Sequence, residues 1–65
     1  MNVSKHWRIM GNYQGSTEEI DHADDEAEAV HLQGQYQFAF GPSWDVWVEV
    51  QEYEEGQLMD CYPLE

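Results

Sequence analysis

The chain has 65 residues, with two lysine or arginine side chains against fourteen aspartates and glutamates and a formal net charge of -12. At that length one domain over 1–65 is expected, with a core that supplies only about 3–5 kcal/mol. Cys61 has no partner for an internal disulfide, no apolar run reaches the ~18 residues of a membrane span, and the three Trp, four Tyr and two Phe set the chain apart from disordered acidic proteins, which lack aromatics.

His6 to Tyr13 alternates with period two, Trp7, Ile9, Gly11 and Tyr13 on one side and Arg8, Met10 and Asn12 on the other, which predicts a half-buried strand. Gln14-Gly15-Ser16 carries turn chemistry, and Thr17 to His22, with Ile20 as its one large apolar residue, completes a hairpin over about 6–22. Ala23-Asp24-Asp25-Glu26 reads as a helix start, with Asp24 as the cap and Asp25 and Glu26 where the helix dipole favours anions. The helix runs over about 24–40 and stops at Gly41-Pro42. At about 100° per residue, Ala29, Leu32, Tyr36, Ala39 and Phe40 share a face suited to a sheet. Ala27, Val30, Gly34 and Phe38 form a second stripe, which the tail or another subunit should cover.

Trp44 to Tyr53 resumes period two, Trp44, Val46, Val48 and Val50 facing one way and Asp45, Trp47, Glu49, Gln51 and Tyr53 the other. That predicts a strand over about 44–53, and Trp7, Tyr36, Phe40 and Trp44 are the expected aromatic core. In the tail, 54–65, Leu58, Met59 and Tyr62 serve either for docking or for a short extra strand turning at Gly56. Leu64-Glu65 matches the scar that precedes a purification tag, so Glu65 carries no weight. The expected class is α+β, a small antiparallel sheet with one helix packed across it in ββαβ order.

Between Glu18 and Glu28, seven carboxylates fall in eleven residues: Glu18, Glu19, Asp21, Asp24, Asp25, Glu26 and Glu28. A solvated face or a helix start explains some of them. Acids are disfavoured in strands, however, so Glu18, Glu19, Asp21, Glu49 and Glu52 are poor choices for stability alone. A compact array of negative charge resembles a nucleic-acid backbone, which carries about one charge per ~1.7 Å of duplex. A nucleic-acid binder needs Lys and Arg, and from Ile9 onward this chain has none. The expected partner is a protein with a Lys/Arg surface, not nucleic acid and not a membrane. Trp47, flanked by acids, suits arginine stacking there, and Tyr53 shares its side.

No metal or cofactor is expected: the sixth position from Asp21 is Glu26 rather than the Gly of a calcium loop, and His6, His22, His31 and Cys61 lack zinc spacing. Catalysis is not expected either, because the chain has no nucleophile elbow, phosphate loop or Cys–His signature. Acids around Cys61 should raise its pKa and blunt its reactivity.

Tyr13-Gln14-Gly15, Glu19-Ile20-Asp21 leading to Ala23-Asp24, Glu28-Ala29 with Tyr36, and Ala39-Phe40-Gly41-Pro42 followed by Trp44 and Val46-Trp47-Val48 together resemble a group of small proteins carried by phages and mobile elements. These are built as a hairpin, an acid-led helix and a final strand, and the resemblance spans Tyr13 to Glu49. In size, acidity and lack of a catalytic set the chain is also similar in type to phage-encoded anti-CRISPR proteins, including acidic DNA mimics. That resemblance is one of type and assigns no residue.

It implies host-defence evasion in the bacterial cytoplasm: an anti-CRISPR inhibitor that blocks target-DNA binding by a type I crRNA-guided surveillance (Cascade) complex. The expected contact set is Glu18, Glu19, Asp21, Asp24, Asp25, Glu26, Glu28, Glu49, Glu52 and Trp47. A restriction enzyme, a histone-like protein or a repressor is an alternative target. A protein-interaction module using Val30, Phe38 and Trp47 is an alternative function. The doubled helix stripe and the short open sheet edges also suit a homodimer.

Overall fold

A computed structural model gives the structure and describes residues 3–64. Five elements follow one another: β1 (Val3–Tyr13), β2 (Ser16–Ala23), α1 (Glu26–Phe40), β3 (Asp45–Glu54) and β4 (Gln57–Pro63). The strands form one antiparallel sheet in the order β2-β1-β3-β4. The class is α+β as expected, but the order is ββαββ rather than ββαβ, because the tail becomes a strand. Its turn explains why. Glu55 and Gly56 both have positive φ, 51° and 83°, the two-residue turn whose twist suits a hairpin, and Glu54 pairs with Gln57 across it. Gln14 and Gly15 repeat the same geometry between β1 and β2.

The predicted faces of β1 and β3 are the observed ones. Ile9, Val46, Val48 and Val50 are buried on the helix side, and Ala23 and Ala29 close the cluster, with Trp7, Ile20, Leu32, Tyr36, Trp44 and Leu64 packed around it. A bulge at Ile20, between the pairs Ile9–Asp21 and Met10–Glu19, turns Ile20 into this core while Glu19 keeps the opposite face. At one end Tyr13, Phe40 and Tyr36 build an aromatic row around Trp44, with Tyr13 stacked on it at 5.2 Å and Phe40 tilted against it at 4.7 Å. Phe40 is 37% exposed, so it sits at the rim rather than inside.

Three details of the helix differ from the sequence expectation. Ala23 stays in β2 opposite Trp7, which moves the cap one residue on: Asp25, not Asp24, accepts from the Glu28 N–H at 2.7 Å. Ala39 is exposed, and its predicted place on the inner face is taken by Gln33 and Gln37. These two glutamines serve the edge of β3, because β4 pairs with β3 only from Glu49 onward and leaves the earlier part of that edge open. Gln37 Oε1 accepts from Val46 N at 3.1 Å and Gln33 Nε2 donates to Val46 O at 3.0 Å. Gln37 Nε2 also donates to the carbonyls of Trp44 and Gly41. The Leu64 N–H takes the next outward carbonyl, Val48 O, at 2.9 Å, so Val46 N, Val46 O and Val48 O on that edge are all met without a strand. Glu65 lies outside the described residues.

The helix packs on β1, β2 and β3 and not on β4. Its second stripe stays uncovered, since the tail pairs with β3 instead: Phe38 is 87% and Val30 51% exposed. Among the described residues, no helix is long and apolar enough to cross a membrane.

Candidate functional site

The acidic side chains divide into those with internal partners and those without. On the sheet face away from the helix, Arg8 lies opposite Glu49 in β3 and one step from Glu19 in β2. Its Nε donates to Glu19 Oε1 at 2.5 Å and its Nη1 to Glu49 Oε1 at 2.9 Å. Beside them the Glu49 carboxylate pushes the Cys61 thiol above its ordinary value, with burial adding to the effect. On the helix side, Tyr36 donates its hydroxyl to Asp21 Oδ2 at 2.9 Å. The His22 N–H, ahead of that bond, holds the Asp21 carboxyl below the usual range. Tyr62 donates to Glu52 Oε2 at 2.6 Å. Four of the strand acids, Glu19, Asp21, Glu49 and Glu52, therefore have partners inside the fold, a structural reason for acids at those strand positions. Asp25 is the helix cap, and Asp60 accepts from Cys61 N.

Among the described residues seven carboxylates remain: Glu18, Asp24, Glu26, Glu28, Asp45, Glu54 and Glu55. Among the described residues these make no side-chain hydrogen bond or ion pair, and all but Glu54 are exposed. Asp24, Glu26 and Glu28 cluster where α1 begins. The sheet continues past that point, because Val3 to His6 pair only with β3, and this extension carries Glu52 and Asp60 opposite each other on the helix side. Glu52, Asp60 and Glu26 all raise the Tyr62 pKa, Glu52 most through its hydrogen bond. Three elements thus bring carboxylates around one tyrosine hydroxyl.

The ten predicted contact residues do not form one surface. Asp24, Asp25, Glu26, Glu28 and Glu52 gather around the helix start, with Glu18 and Asp21 on the same side along β2. Glu19, Glu49 and Trp47 lie on the opposite face of the sheet around Arg8. Trp47 is half-buried there beside Met10, its register partner, which is only 7% exposed. Tyr53 is half-buried too and packs edge-on against His6 at 5.3 Å. Asp45, Glu54, Glu55 and Asp60 lie outside the predicted set, and the turn signal at Gly56 is the one cue in the sequence to the strand that places Asp60.

No protein-family model, curated protein or solved structure matches the chain. Among the described residues no pocket forms and no three His, Cys, Asp or Glu side chains gather as a metal site. What the arrangement offers is a negative surface around the helix start, in which Lys5, the register partner of Glu52, is the one nearby cation among the described residues and makes no ion pair. Such a surface attracts Lys and Arg over a distance and weakens as salt screens it.

Proposed function

We propose that this chain is a stoichiometric inhibitor that places its carboxylates on the Lys/Arg surface of a nucleic-acid-binding protein, in the position of DNA. The target proposed is the crRNA-guided surveillance complex of a type I CRISPR system, and the chain is a phage or mobile-element product acting in the bacterial cytoplasm. The observation that carries this reading is the set of unpartnered carboxylates around the helix start, separate from the acids that Arg8, Tyr36 and Tyr62 occupy. The longest dimension is 41 Å, over which a duplex carries about 24 charges at one per ~1.7 Å. A net charge of -12 is about half of that, spread over both faces of the sheet. Charge of this kind steers encounter and is sensitive to salt.

The test is competition for target-DNA binding by a type I effector complex across a salt series. The wild-type chain should displace DNA, less so as salt rises, and a variant carrying Glu18→Gln, Asp24→Asn, Glu26→Gln and Glu28→Gln should lose the effect while keeping its fold, since none of these four has an internal partner. Wild-type inhibition by that variant overturns the surface. Competition at a restriction enzyme, histone-like protein or repressor instead would keep the mechanism and change the target. A second reading, an interaction module, is favoured by the exposure of Phe38 and predicts binding that salt barely changes.

A further inference from the structure

The outer face of α1 carries the most exposed large apolar side chain of the described residues, Phe38 at 87%, with Val30 at 51% and Ala27 exposed one turn before it. Between Val30 and Phe38 lies Gly34, where an added Cβ would meet nothing within 4 Å. This face has a second property that concerns charge. From Ala29 to Trp44, sixteen consecutive residues contain no Asp, Glu, Lys or Arg, the longest such stretch after Arg8 in a chain of net charge -12. Two copies of such a chain repel each other through almost any other surface. The outer face of the helix is where they can meet without bringing carboxylates together.

We infer that this chain self-associates as a two-fold dimer through the outer faces of α1, the two helices antiparallel and crossing at Gly34. In a symmetric pair the same patch serves both copies. With Gly34 on the axis, Phe38 of one copy falls opposite Val30 of the other, four residues from the centre on each side. The missing side chain at the crossing lets the helix axes approach to the short end of the usual 8–10 Å. The antiparallel sense also settles the electrostatics: the acidic first turns sit at opposite ends of a 15-residue helix, about 22 Å apart at 1.5 Å per residue, beyond the ~8 Å Debye length of physiological salt. A parallel pair would set Glu26 and Glu28 of both copies side by side. A basic partner is drawn to the acidic surface around the helix start, not to this uncharged face, which is why the second copy is the occupant. The interface is one helix face wide and falls at or below the ~1,200 Å² lower limit of stable complexes, so the dimer is weak.

Sedimentation equilibrium over a concentration series, at low and high salt, tests this. The wild-type chain should show a monomer–dimer equilibrium that strengthens with salt, the opposite sign to binding of a basic partner, so this inference and the proposed function fail independently. Phe38→Glu, at a site too exposed to matter for folding, should weaken dimerisation at least about tenfold. Gln57→Glu, which adds the same charge on β4, a strand the helix does not touch, should change it less than about twofold. Mixing a Phe38→Glu copy with a Val30→Lys copy should restore association, because 38 faces 30 in an antiparallel pair. A chain that stays monomeric at every concentration and salt, or a dimer that Phe38→Glu leaves intact, overturns the inference. So does a dimer that salt dissolves.

Discussion

Gln37 on the helix accepts the backbone N–H of Val46 through its side-chain oxygen at 3.1 Å, while its amide nitrogen donates to Trp44 O at 2.8 Å. One side chain thus stands in for the strand that β3 lacks along this part of its edge. Leaving such groups unpaired costs about 1–3 kcal/mol. Gln37→Met should therefore lower the unfolding free energy by about that amount in urea titration. Gln33→Met, which removes the single bond to Val46 O, should cost about 0.5–1.5 kcal/mol.

Arg8 is shared by Glu19 and Glu49, whose side chains are 44% and 24% exposed. Solvent screens the pair on the Glu19 side, so Arg8→Met should cost about 1 kcal/mol, part of it repulsion between the two abandoned carboxylates. Adding Glu49→Gln to Arg8→Met should recover part of the loss. A double-mutant cycle by chemical denaturation reads the coupling, and strictly additive effects would contradict a shared cation.

Gly11 sits on β1 under Trp44. A Cβ there would lie 2.5 Å from Ile20 Cδ1 and 3.1 Å from two carbons of the Trp44 ring. The isoleucine terminus can swing aside, but the indole is held between Tyr13 and Phe40. Gly11→Ala should destabilise by about 1–3 kcal/mol through overpacking. Gly34→Ala, in open space on the helix, should instead stabilise the monomer by about 0.5–1 kcal/mol. Thermal melts of dilute protein separate the two signs.

Stability should fall at both ends of the pH scale. The Asp21 pKa is lowered by the His22 N–H first and the Tyr36 hydroxyl second, so its contribution is present above the ordinary 3.8 and is lost as pH falls through the folded value. The Tyr36 and Tyr62 pKa values are raised by hydrogen bonds to Asp21 and Glu52. Their contribution is present below the ordinary 10.0 and is lost as pH rises through the folded values. In melting temperature against pH, Tyr36→Phe should flatten the alkaline limb and part of the acid limb, whose larger cause remains. Tyr62→Phe should leave the Asp21 contribution to the acid limb intact.

Moderate salt should raise the melting temperature, because carboxylates farther apart than about 8–10 Å are screened from one another. Unchanged melting would mean that the internal partners of Glu19, Asp21, Glu49 and Glu52 already absorb the repulsion.

Local pattern carries what local forces decide. The alternation of Trp7, Ile9 and Gly11 and of Val46, Val48 and Val50 places the core, because strand side chains alternate whatever the strand pairs with. Gly41-Pro42 ends the helix for reasons contained in those two residues. The negative surface at Asp24, Glu26 and Glu28 is legible in the same way, since a helix start orients it. The tertiary structure alone decides which acids are already engaged. Arg8 and Glu49 are 41 residues apart in sequence, and Asp21 meets Tyr36 only once the helix lies back over the hairpin. It also decides that Gln33 and Gln37 face inward, because the need they meet, an open stretch of β3, exists only after β4 has paired with the rest of that strand. Residue periodicity reports the face a side chain takes. The partner waiting there is set by how the chain returns on itself.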